Sequence, residues 1–185
     1  MFRILCVPLV VVLYLFPFAS VGYITIASAS ISYVDLACLA IFIIASFTDY
    51  LDGHIARKYH LITSFGKFID PIADKLLVNT CFILLAASGR MPLYLVIIMI
   101  WRDTIVDAIR MIASQHQRVM AAAFMGKVKT VLQMIAIIVL FLNNVPFVFI
   151  GVPMDQLLAW AATIVSVISG IQYFLQAKDI LLESM

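Results

Sequence analysis

Apolar residues run through this chain in long blocks separated by short polar segments. The first block, Leu5 to Phe18, follows Arg3, and the second extends from about Val34 into the polar segment Thr48 to His60. The others run from Phe68 to Ala87, Pro92 to Ala113, Val131 to Leu142 and Leu157 to Leu175. A helix of about 20 apolar residues spans a bilayer, so the pattern predicts an all-α polytopic membrane protein with six transmembrane helices. The breaks are turn-like: a Ser-rich stretch from Ala27 to Ser32, Ser88-Gly89-Arg90, and Asn143-Asn144-Val145-Pro146. The first block, ending near Ala19 and Ser20, also has the length of a signal peptide. It lacks a small-x-small site and a further apolar stretch follows directly, so it reads as a retained helix. No repeat or low-complexity segment divides residues 1–185, which read as a single membrane domain.

Composition sharpens this picture. The chain is 65% apolar and 12% charged, with a mean hydropathy of +1.13, against roughly 45–50% and 25% for a soluble domain. A cytosolic enzyme, a secreted disulfide scaffold and a disordered interactor are thereby excluded. With a net charge of +2 and no basic runs, nucleic acid is not an expected partner. Cys6, Cys38 and Cys81 lie inside apolar blocks without a CxxC pair and read as small buried hydrophobes. Arg3, Arg57, Lys58, Lys67, Lys75, Arg102, Arg110, Arg118, Lys127, Lys129 and Lys178 fall on one side of a six-span arrangement, and Arg90 falls opposite. Basic residues stay on the cytoplasmic side, which predicts cytoplasmic N- and C-termini.

The acids are unevenly placed. Eight of ten lie in or beside apolar blocks, and six of those crowd into the 59 positions from Asp49 to Asp107. An ionised side chain at membrane depth costs at least about 2.5 kcal/mol, so such groups face polar cavities and mark function. On a helix, Asp49, Asp52, Gly53 and Ala56 stand at about 0°, 300°, 40° and 340°, within one stripe. Asp70 and Asp74 are spaced i, i+4 on the next helix, and Pro71 suits its first turn. Four carboxylates on adjacent helices suit hard divalent cations such as Mg²⁺ or Mn²⁺. Gly53 and Ala56 open the helix backbone to a phosphorylated ligand, and Arg57 and Lys58 add positive charge. The same aspartates also admit an interfacial ion-pair network with Arg57, Lys58, Lys67 and Lys75. Farther along, Arg102 and Arg110 in the fourth block, with Lys127 and Lys129 entering the fifth, are candidate phosphate ligands. His54, His60 and His116 read as interfacial or solvated, and Ser166-x3-Gly170 as a small-x3-small packing face.

The segment Asp49-x2-Asp52-Gly53-x2-Ala56-Arg57-x8-Gly66-x3-Asp70-x3-Asp74 resembles, at every defined position, the signature of the CDP-alcohol phosphotransferase family of integral membrane enzymes. Thr48-Asp49, Phe68 to Lys75, Trp101-Arg102-Asp103 with Arg110, and Gly126-Lys127-Val128-Lys129-Thr130 are similar to its bacterial phosphatidylglycerophosphate synthase branch. Two positions depart from that pattern: 103 is more often Glu, and an acid at 107 is not expected. Asp107 shares a helix face with Arg110 and is a candidate partner for it.

The resemblance implies transfer of a phosphatidyl group from CDP-diacylglycerol to sn-glycerol 3-phosphate. It implies two divalent cations on Asp49, Asp52, Asp70 and Asp74, with Asp74 also acting as general base. It further implies CDP-diacylglycerol contacts from Asp52, Gly53, Ala56, Arg57 and Gly66, and a glycerol-phosphate site of Arg102, Arg110, Lys127 and Lys129. A homodimer in the bacterial inner membrane, working at its cytoplasmic face among membrane lipids, belongs to the same expectation. One alternative is a family member with another acceptor, of the cardiolipin synthase type. A divalent-cation transporter is another, though it gives no reason for Gly53, Ala56 and Gly66.

Overall fold

In the computed structural model the described residues are 2–16, 22–26, 29–59, 64–115 and 124–183. Side chains at positions 2, 50, 54, 56, 57, 64–71, 115, 146 and 179–183 lie outside that description. Helix α1 (Phe2–Leu15) is followed by strands β1 (Tyr23–Ile26) and β2 (Ala29–Ser32), then by α2 (Tyr33–Lys58), α3 (Ser64–Ala87) and α4 (Leu93–Gln115). The remainder is α5 (Phe124–Phe141), the single turn α6 (Val145–Val148) and α7 (Met154–Glu183).

The chain is mostly helical, with one correction to the all-α expectation. Residues Ala29–Ser32 of the Ser-rich stretch pair antiparallel with Tyr23–Ile26, Tyr23 opposite Ser32 and Ile26 opposite Ala29. Its alternation is the reason: Ala29 and Ile31 point to the buried face while Ser30 is exposed. The hairpin leads straight into α2 through a capping box. Ser32 Oγ accepts from the Val34 amide at 3.2 Å, and the Asp35 carboxylate accepts from the Ser32 amide at 3.1 Å. A second correction concerns α3, which starts at Ser64, so Pro71 lies within the helix and not in its first turn.

Among the described residues three helices are long and apolar enough to cross a membrane, over Tyr33–Gly53, Phe124–Phe141 and Met154–Lys178. By contrast α1 has 14 residues, and α3 and α4 carry charges in mid-helix: Asp74 and Lys75 in one, Arg102, Asp103, Asp107 and Arg110 in the other. Much of the apolar surface points outward, including Phe47, Trp101, Ile105, Phe174 and Leu175, as suits a surface solvated by lipid tails. Within, α7 packs on α4 and α5, α1 packs on α2 and α3, and α3 joins the two groups through α4 and α5. Phe42, Leu77, Phe82, Leu85, Leu95, Met99, Ile137 and Phe141 fill the centre. Cys6, Cys38 and Cys81 are free thiols buried there, as their apolar context predicted.

Arg90 is held by the protein itself. It pairs with the buried Asp35 and donates at 3.1 Å to the carbonyls of Leu140 and Phe141 at the end of α5. Gln156 in turn donates to the Arg90 carbonyl at 2.6 Å. Positive-φ residues Gly89, Asn143, Asn144 and Gly151 make the neighbouring turns. This end of the molecule is thus closed by a structural ion pair, and the remaining mid-helix charges gather toward the other.

Candidate active site

Three helices converge at the opposite end. Asp49, in the fifth turn of α2, and Asp74, in the third turn of α3, both bind the guanidinium of Arg3 from α1. Arg3 donates to Asp74 Oδ1 at 2.7 Å and makes an ion pair with Asp49. The guanidinium is buried while both carboxylates are about 40% exposed. Two acids from different helices are therefore aimed at a single positive charge and remain open to the outside. Asp52 is exposed one turn beyond Asp49, beside Gly53. Asp70 and Gly66 fall on α3 and Ala56 and Arg57 on α2, with side chains outside the described residues. Of the bases expected to pair with these aspartates, Arg57 and Lys67 have side chains outside the described residues, Lys58 is exposed and lies over the Tyr59 ring at 5.7 Å, and Lys75 pairs with Asp107.

Beyond Asp74 lies a cavity of about 270 Å³ between α3, α4, α5 and α7. All four cations read from the sequence as phosphate ligands, Arg102, Arg110, Lys127 and Lys129, line it together with Asp74. Five bases and three acids border this space, so its field favours an anion.

The charges are not equivalent. Asp103 is 4% exposed, and its Oδ1 accepts from Lys129 Nζ at 2.5 Å and from Arg102 at 2.8 Å. Arg102 also donates to the Ser166 carbonyl at 2.8 Å and to Ser169 Oγ at 2.7 Å, so each of its guanidinium nitrogens has a protein partner. Gly170 makes this possible: a Cβ there would stand 2.9 Å from Arg102 Cγ and 3.3 Å from its Nε. The small face Ser166-x3-Gly170, read as a packing motif, is therefore used inside the chain to receive Arg102, and Ser166 is fully buried by it.

Asp107 does not pair with Arg110, contrary to the helix-face expectation; it pairs with Lys75 across from α3. Arg110 instead donates to the Tyr173 hydroxyl at 2.6 Å and lies over its ring, 4.7 Å from the centroid. Among the described residues no carboxylate pairs with Arg110 or Lys127, and both line the cavity.

Three participants escape a reading of the sequence. Arg3 reads as an ordinary orientation charge, because contact with residues 49 and 74 is decided by packing of α1 on α2 and α3. Tyr173 looks like one more aromatic of a membrane helix, and Lys75 like a positive-inside residue. The Asp-rich spacing and the four cations of α4 and α5 carried a legible signal; these three did not.

The donor set, all oxygen and already converging on a cation between Asp49 and Asp74, fits Mg²⁺ or Mn²⁺. Among the described residues, no group of three or more metal-capable side chains is assembled.

Comparison with known proteins identifies the family. The model of the CDP-alcohol phosphatidyltransferase family matches residues 1–168. A Bacillus subtilis (strain 168) protein named CDP-diacylglycerol--glycerol-3-phosphate 3-phosphatidyltransferase is 41% identical over 172 residues, covering 93% of this chain and 89% of its own. Proteins of the same name from Haemophilus influenzae and Rickettsia felis are 32% and 34% identical. The first match covers 100% of this chain and 93% of the relative, the second 75% and 77%. A family model spanning residues 1–168 and a relative 41% identical over 93% of the chain establish that this protein belongs to the CDP-alcohol phosphatidyltransferase family.

Proposed function

We propose that the chain transfers the phosphatidyl group of CDP-diacylglycerol to sn-glycerol 3-phosphate, releasing CMP and forming phosphatidylglycerophosphate. Relatives of that printed name that match most of the chain support the choice of substrates. One observation carries the mechanism: Asp74 belongs both to the carboxylate cluster and to the wall of the cationic cavity. A donor held at the aspartates and an acceptor held in the cavity therefore meet at one carboxylate.

Asp49, Asp52, Asp70 and Asp74 are the residues that would hold two divalent cations. Bound there, Mg²⁺ or Mn²⁺ would supply charge neutralisation for the pyrophosphate of the donor. Gly53, Ala56, Arg57 and Gly66 flank that site along α2 and α3 and serve the nucleotide end. The acceptor phosphate binds Arg110 and Lys127, whose charges are unspent, while Lys129 and Arg102 contribute field from behind Asp103. Asp74 takes the proton of the acceptor's free hydroxyl as its oxygen attacks the β-phosphorus, and the bond to CMP breaks. Arg3 holds Asp49 and Asp74 together, and a divalent cation bound there would compete with its guanidinium for the same oxygens.

This reading includes six transmembrane helices in one domain, with both termini and the site at the cytoplasmic face of the bacterial inner membrane. The lipid donor then arrives from the bilayer and the acceptor from water. A homodimer is part of the same proposal and uses a face other than Ser166-x3-Gly170. The test is CMP release from CDP-diacylglycerol with glycerol 3-phosphate, phosphatidylglycerol, serine or inositol phosphate offered in turn, with and without Mg²⁺ or Mn²⁺. Turnover dependent on glycerol 3-phosphate and a divalent ion is expected; turnover with phosphatidylglycerol alone overturns the assignment in favour of a cardiolipin-type transferase.

A further inference from the structure

We infer that Tyr173 is a positioning residue for the acceptor, holding Arg110 in the cavity by neutral contacts so that its charge stays available to a phosphate. The inference deepens the proposed function and rests on it.

The starting point is a pairing that does not form. Asp107 and Arg110 are separated by three residues on α4, a spacing at which side chains of opposite charge ordinarily meet. Here Asp107 turns to Lys75 and Arg110 turns to Tyr173 on α7. The difference matters electrostatically. A carboxylate partner fixes a guanidinium but cancels most of its charge. A phenol fixes it through a hydroxyl acceptor at 2.6 Å and a ring face at 4.7 Å, and leaves the unit charge intact. Arg110 is the more exposed member of the pair, while Tyr173 is 2% exposed. The anchor is thus buried, and Arg110 lines the cavity beside it.

Tyr173 is itself fixed. Gly126 on α5 lies against its hydroxyl, where an added Cβ would come to 3.5 Å, and Arg102 lies on the same ring at 5.8 Å. One tyrosine therefore spaces the two arginines of α4. Arg102 is committed to Asp103, Ser166 and Ser169, and Arg110 is left for an anion. Lys75 completes the device by occupying the carboxylate that would otherwise capture Arg110.

The experiment uses full-length protein in nanodiscs. Tyr173→Phe keeps the ring and removes the hydroxyl acceptor. The KM for sn-glycerol 3-phosphate should rise about tenfold, with kcat and the KM for CDP-diacylglycerol within about twofold of the parent. In an Arg110→Ala background the same Tyr173→Phe change should add nothing, because the group it positions is gone. A residue that merely packs would leave the KM of Tyr173→Phe unchanged, and that result overturns the inference. So does a KM effect that persists undiminished without Arg110. Failure of the functional reading shows instead in the parent enzyme, as CMP release supported by another acceptor and not by glycerol 3-phosphate. The variants are then compared with that acceptor, and an unchanged KM overturns the inference there too.

Discussion

Asp103 is the point where stability and the cavity's charge are most tightly joined, and replacing it by Asn tests the arrangement. Arg102 and Lys129 both donate to the same oxygen of Asp103, at 2.8 and 2.5 Å, so their nitrogens stand no more than about 5.3 Å apart. Without the carboxylate, two buried cations face each other at that distance. At an effective dielectric constant of about 20 their repulsion is about 3 kcal/mol. Removing one member of a buried ion pair costs about 3–5 kcal/mol in general, so Asp103→Asn should lower stability by that amount. Adding Lys129→Met eliminates one of the two cations and should restore about 3 kcal/mol of the loss. Reversible denaturation of the purified protein in detergent measures both values. A double variant no more stable than Asp103→Asn would refute the argument, since it would mean that the repulsion between Arg102 and Lys129 is relieved by movement or water and is not held in place by the packing.

Further outcomes follow from the same contacts. Asp74→Asn should leave the protein folded and inserted but slow CMP release by about 10²–10⁴-fold, the usual contribution of a general base; near-normal turnover would remove Asp74 from that role. Arg90→Ala strands the buried Asp35 and frees two α5 carbonyls, and should cost about 3–5 kcal/mol in unfolding experiments while kcat of the folded enzyme is unchanged. Gly170→Ala drives a Cβ into Arg102 and should destabilise by about 1–3 kcal/mol without altering oligomeric state in cross-linking, because that face lies inside the chain.

The hydrophobic blocks alone located the helices, since a chain of this apolarity has to bury its backbone polar groups in helices when lipid is the solvent. Asp49 to Asp74 were equally legible, because a helix converts spacing along the chain into a shared face and because so few charges compete for attention. The four cations read from the sequence as phosphate ligands were visible for the same reason, and they do line one cavity with Asp74. The hairpin from Tyr23 to Ser32 was hidden because short strands take their stability from what they pack against. The choice of partners was hidden too. Whether Arg110 meets Asp107 or Tyr173, whether Arg3 orients the chain or bridges two aspartates, and whether Ser166-x3-Gly170 faces a second subunit or Arg102 all depend on which helix lies alongside. Spacing within a helix is a local property that the sequence carries, whereas pairing between helices is a competition among partners that only the packed structure brings within reach.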